Sequence, residues 1–272
     1  LLHLRYHYPL QRVCGVEVFA NGARRPAMRR TILEIERQIA ELANCLHTGH
    51  SLYTGPEGWL SPDGRLAPLP GGLARLLKLA PPDTRIVPIA IIYDFIHTGR
   101  PHMFIDVAAP IEDGAQLSPK ELSERLHAAW LGVMRFTCTQ LATGIIARHA
   151  AQPDDVWSVA ELTQAVGAWA RELSEQGRHV DTRLLDPQQA YKQVASYVRY
   201  LDRRKLFRRV THNRWQLTAP LHPIQIPPGE VGYKREPLAY AWNELQEMLT
   251  VPSTAIQPHE QAAISDPDER QR

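Results

Sequence analysis

The longest uninterrupted apolar run of the chain is Ile86-Val87-Pro88-Ile89-Ala90-Ile91-Ile92. It constrains the fold more than any other stretch. A membrane-crossing helix needs about 20 apolar residues, and this run is far shorter. It is rich in β-branched residues and carries a proline, so it reads as a buried strand. Around it the pattern alternates between strand and helix. Residues 13–19 are Val-rich and alternating, and Asn21-Gly22 follows as a turn. Pro26 opens a helix with Met28, Ile32, Ile35, Ile39, Leu42 and Leu46 on one stripe, and Gly49 stops it. Residues 51–54 read as a short second strand. Leu73, Leu76, Leu77 and Ala80 suggest a short helix ended by Pro81-Pro82. Residues 102–107 read as another strand, and Pro119 opens a long helix toward His149.

This order predicts an α/β fold over residues 1–152, with a mostly parallel sheet and flanking helices. In such sheets ligands bind at the carboxyl ends of strands. The Gly/Pro-rich loop at 55–72 follows a strand and falls where a site is expected.

Beyond Pro153 the pattern changes. Val159, Leu162, Val166, Trp169 and Leu173 mark one helix, and Tyr191, Val194, Val198 and Leu201 another. Residues 205–217 read as a hairpin, so 153–220 forms a helical, winged-helix-like module. Residues 221–251 are read as a Pro-rich extended segment and a short helix. The polar tail at 252–272 is expected to be disordered.

Composition narrows the chemistry. Cys14, Cys45 and Cys138 are scattered and form no Cys-x-x-Cys pair, which argues against a disulfide framework or a Cys-based zinc site and fits a reducing cytoplasm. No His-x-x-x-His pair falls on an expected helix, so no metal is expected. Neither Gly-x-Gly-x-x-Gly nor Gly-x-Ser-x-Gly occurs, which speaks against nucleotide phosphate binding and an α/β-hydrolase. Arg199, Arg203, Arg204, Lys205, Arg208 and Arg209 cluster with Tyr197, Tyr200, Phe207 and Trp215. The net charge of only +2 favours a solvated helix end or lipid contact there over nucleic acid.

The most specific segment is Tyr53-Thr54-Gly55-Pro56-Glu57-Gly58-Trp59-Leu60-Ser61, followed by Asp63-Gly64, Pro70-Gly71-Gly72-Leu73 and the strand bearing Val87-Pro88. In this order it resembles the glycerolipid acyltransferase family, which includes the 1-acylglycerol-3-phosphate acyltransferases. The resemblance covers roughly residues 1–115. It implies transfer of a fatty acyl group from acyl-CoA or acyl carrier protein to the hydroxyl of a lysophospholipid or glycerol phosphate. No cofactor is implied, and the work would be done at the cytoplasmic face of a membrane. A His would act as general base, oriented by an Asp five residues later. The resemblance places that pair upstream of Leu1, because His7-x-x-x-x-Arg12 ends in the wrong residue. This chain alone is therefore expected to be inactive.

The remaining roles are likewise implied by the resemblance. Arg24 and Arg25 would hold the acceptor phosphate. Gly55, Pro56, Glu57 and Gly58 would shape the acceptor pocket, with Glu57 as its anchor. Pro88 would belong to the acyl-binding region. Leu60 stands where the family carries an arginine, a departure that implies a less charged or bulkier acceptor. The alternative is an acyltransferase-like binding protein without catalysis, using its basic C-terminal module to contact lipid or nucleic acid.

Overall fold

The computed structural model describes residues 25–55, 63–66, 69, 71–94, 102–149, 156–218 and 236–250. The chain divides into two compact units. One comprises Leu1–Pro88, Pro110–Ala128 and Pro223–Glu244; the other comprises Ile89–Ala109, Ala129–His222 and Leu245–Arg272.

In the first unit, helix α1 (Arg25–His47) packs on α2 (Gly72–Leu79). Ile39, Ala43 and Leu76 form the buried centre, with Ile35, Leu42, Leu46, Leu52 and Leu73 against it. The opposite face of α1 carries Arg37 between Glu34 and Glu41, pairs that suit successive helical turns. Gly49, at φ +81°, ends α1. Its amide donates to Leu46 O, and that of His50 to Cys45 O. The His47 ring donates to the Leu79 carbonyl at 2.9 Å and ties the two helix ends together. Farther along, Ile86 and Ile111 exchange backbone hydrogen bonds of 3.1 and 2.8 Å.

The second unit holds β1 (Ile89–Asp94) and β2 (His102–Val107), then α4 (Cys138–His149), β3 (Val156–Trp157), α5 (Val159–Glu175), α6 (Pro187–Arg203), β4 (Phe207–Thr211) and β5 (Arg214–Leu217). Helices α3 (Pro119–Val133) and α7 (Pro237–Leu249) complete the element order. A capping box starts α5: Ser158 N–H donates to Glu161 Oε2, and Glu161 N–H to Ser158 Oγ. Asp186 caps α6 by accepting from Gln189 N–H at 2.8 Å, with Pro187 as first residue. Leu162, Val166 and Ala170 of α5 and Val194, Tyr197 and Leu201 of α6 are almost wholly buried.

The expected parallel α/β sheet is not what forms. Among the described residues, two small antiparallel sheets stand beside the helices, one of β1 and β2 and one in the order β3-β5-β4. Seven residues separate β1 from β2. A parallel partner would need a crossover of about a dozen or more. Burial along β1 alternates, with Ala90, Ile92 and Asp94 inward and Ile89, Ile91 and Tyr93 outward. A run apolar on both faces therefore has only one face covered. Residues 51–54 adopt no strand, and the strand expected at 13–19 lies outside the described residues.

The long helix expected from Pro119 to His149 is broken into α3 and α4 at 134–137. There Phe136 pairs with the chain at 179–181: Phe136 N–H donates to His179 O at 2.8 Å and Asp181 N–H to Phe136 O at 2.9 Å. Those bonds take the backbone of Phe136 out of helical register. The hairpin expected at 205–217 forms from β4 and β5, joined by a third strand, β3.

Candidate functional site

The residues singled out by the acyltransferase resemblance are unevenly placed. Arg24, Pro56, Glu57 and Gly58 lie outside the described residues, as does Leu60. Arg25 is the first residue of α1, with its side chain outside those described. Gly55 is exposed at the end of the segment that follows α1. Gly71 stands at the N-cap of α2 and Gly72 is its first residue. Pro88 is buried immediately before β1, the strand-entry position where its missing N–H removes no ladder bond.

Midway along the Gly/Pro-rich stretch, Asp63 and Gly64 meet α7. Gly64 adopts φ +86°, and a Cβ there would lie 2.4 Å from Tyr240 O. Only glycine permits that approach of backbone to helix. Beside it Asn243 Nδ2 donates to Asp63 O at 3.0 Å.

Sequence reading missed a polar cluster in the second unit. Asp94, Asp106 and Asp181 are almost fully buried. Thr139 donates to Asp94 through its hydroxyl. Arg135 forks onto both oxygens of Asp106, and His179 Nδ1 lies 3.7 Å away. Arg183 donates to Asp181 through Nε at 2.9 Å and Nη2 at 2.7 Å, and Gln193 adds a bond at 3.2 Å. The two guanidinium groups stack on Phe104 of β2, at 5.4 and 5.6 Å from the ring centre. Arg183 also meets the His102 ring.

Burial pushes the Asp106 carboxyl up, but the His179 contact and the Arg135 bonds and charge outweigh it, leaving it below the usual carboxylate range. At Asp181, burial is likewise overcome by Arg183 and Gln193, with the same downward result. Bonding to the partner carboxylates raises both Arg135 and Arg183. Burial lifts the Cys138 thiol well above its ordinary value, so it is not poised as a nucleophile. Each cation here is matched by a buried anion. The cluster's chemistry is to hold β2 against the helical elements rather than to receive a ligand.

Exposed apolar and groove-lining side chains lie elsewhere on this unit. The outward face of β1 and β2 carries three cross-strand pairs, Ile89 with Val107, Ile91 with Ile105 and Tyr93 with Met103. These six side chains are 36–59% exposed. An open groove of about 300 Å³ is lined by Ile145, Arg148, Trp157, Trp169 and Glu172. Arg148 fills part of it by stacking 4.1 Å over the Trp169 ring. Among the described residues, no group of three or more His, Cys, Asp or Glu could hold a metal ion. Nor is any described helix long and apolar enough to cross a membrane. Comparison with known proteins found no matching family model, no matching curated protein and no matching solved structure.

Proposed function

We propose that the chain belongs to the machinery that moves a fatty acyl group onto a glycerolipid hydroxyl, working at the cytoplasmic face of a membrane. The observation that carries this reading is the outward face of β1 and β2. Six large apolar side chains form a continuous ladder over both strands, left exposed on a two-stranded sheet. Six residues of strand extend about 20 Å. A strip of that length favours contact with an acyl chain or lipid surface, at about 25 cal/mol for each Å² of apolar surface taken from water.

Sequence supports the same reading. The Gly55-Pro56-Glu57-Gly58 sequence precedes a helix that starts at Gly71-Gly72, and a buried Pro88 leads into β1. The reading rests on that stretch and on the hairpin, not on the parallel layer that the element order implied. The donor is acyl-CoA or acyl carrier protein, and the acceptor a lysophospholipid or glycerol phosphate. Leu60 in place of an arginine favours an acceptor with a less charged head.

The test is acyl transfer by the product of the complete reading frame, offered each donor with lysophosphatidate and with glycerol phosphate. Glu57→Ala should lower kcat/KM about a hundredfold, the cost of a mispositioned acceptor. Ile105→Glu should weaken activity toward long acyl chains more than toward short ones. Absence of transfer with every donor–acceptor pair would refute the function. Unchanged turnover in Glu57→Ala would remove the loop from it.

A further inference from the structure

The near-neutral net charge conceals a strongly segregated one. Between residues 187 and 214 the chain carries eight Lys and Arg and a single acid, Asp202. These cations lie on α6, its C-terminal turn and the β4–β5 hairpin, all within one compact unit. We propose that this surface binds double-stranded DNA, with α6 in the major groove and the hairpin on the flanking backbone. The proposal is independent of acyl transfer.

Three observations carry it. First, α6 buries one face and leaves the other polar apart from Tyr191. Ala190, Val194, Tyr197, Val198 and Leu201 are buried, whereas Gln188, Gln189, Tyr191, Lys192, Arg199 and Arg203 are exposed. Glutamine, lysine and arginine are side chains that read base edges, and a single helix fits a groove about 12 Å wide.

Second, the hairpin is held in place relative to α6. Leu206 N–H donates to Leu201 O of α6 at 2.9 Å, Thr218 N–H in turn donates to Leu206 O at 2.9 Å, and Phe207 of β4 is buried. Its basic side chains are also braced. Arg208 donates to Gln216 Oε1, Arg209 to the carbonyl of His212, and Arg214 pairs with Glu161 at 2.8 Å. A helix followed by a fixed cationic hairpin offers phosphate contacts on either side of a groove.

Third, the surface is unsuited to a lipid interface. An interfacial helix needs a broad apolar face, and that of α6 is already used in the core. The hairpin turn, Thr211-His212-Asn213-Arg214, is exposed and polar.

The test is fluorescence anisotropy of a labelled duplex titrated with the full chain, with anionic phosphatidylserine vesicles and an RNA duplex of the same sequence in parallel. About five phosphate contacts would give a log–log salt slope near −4.5, or roughly 500-fold weaker binding at 200 than at 50 mM salt. Arg199→Gln with Arg203→Gln should lower that slope by about two and weaken binding about tenfold or more at the lower salt. Should that double variant fail to fold by circular dichroism, Lys192→Gln serves, with a slope change of about one. DNA binding indifferent to these substitutions would overturn the proposal. So would no duplex binding at 50 mM salt, tighter binding to the RNA duplex, or binding to vesicles alone. Acyl-transfer activity enters none of these readouts, so the two proposals fail separately.

Discussion

Replacing Asp181 by asparagine keeps the side chain's shape and removes its charge, leaving Arg183 beside a neutral amide. Exposed ion pairs are worth about 0–1 kcal/mol, whereas breaking a buried one costs about 3–5. Asp181 is 2% exposed and Arg183 30%, so the pair lies toward the buried limit with some water at the cation. The expected loss from Asp181→Asn is about 2–3 kcal/mol. At a urea m-value near 2 kcal/mol per M, the midpoint moves down by roughly 1–1.5 M. The assay is urea unfolding followed by tryptophan fluorescence, with Trp157, Trp169 and Trp215 as reporters in the same unit. Much of the loss should come from the stranded guanidinium. Adding Arg183→Met should therefore bring the double variant at least about 1 kcal/mol closer to wild type than the sum of the single losses. A loss below about 0.5 kcal/mol at unchanged m, or a strictly additive cycle, would refute the account.

Because Asp106 and Asp181 both lie below the ordinary value of 3.8, their contribution is full above that pH and declines as pH falls through the lower folded values. Melting temperature should therefore hold from neutrality to mild acid and drop below pH 3.8, and Asp106→Asn should flatten the drop; an equal drop in that variant would count against it. Gly144→Ala would place a Cβ 2.4 Å from Leu245 Cδ2 and 2.8 Å from Trp169 Cζ3. Overpacking of about 1–3 kcal/mol should exceed the better helix propensity of alanine, giving a net loss of stability in chemical denaturation. Lys205 holds φ +59° just after α6. Lys205→Gly should relieve backbone strain and raise unfolding stability by up to about 1 kcal/mol in the absence of DNA.

Local signals carried well where neighbours in sequence decide the outcome. The stripe from Ile35 to Leu46, the stop at Gly49 and the start at Asp186-Pro187 all form as their spacing demands. The sheet did not follow, because an apolar run reports its own hydrophobicity and not its cover. In Ile89–Asp94 the decisive fact is the short link to His102, which forces a hairpin and exposes every second residue. The helix break at Phe136 depends on backbone bonds to residues 179–181, which no local pattern announces. The polar cluster draws Asp94, Asp106, Arg135, Thr139, Asp181 and Arg183 from distant positions. One clue was legible: Asp181 lies beside buried Val180 and near buried Leu184, with Arg183 two residues on. The basic face was seen, but averaging charge over the whole chain hid how one-sided it is. The stretch from Gly55 to Gly58 was singled out by resemblance alone, and Pro56, Glu57 and Gly58 lie outside the described residues.

The division into two interleaved units has a consequence for biogenesis. The first unit uses Leu1–Pro88, Pro110–Ala128 and Pro223–Glu244, so its last strip of chain is synthesised long after its first. At ribosomal rates of about 5–20 residues per second, that interval is on the order of ten seconds. The nascent chain must keep its early segments from premature association over that time. Trimming from the C-terminus to find a minimal fragment would strip a piece from each unit, so neither would be delivered whole.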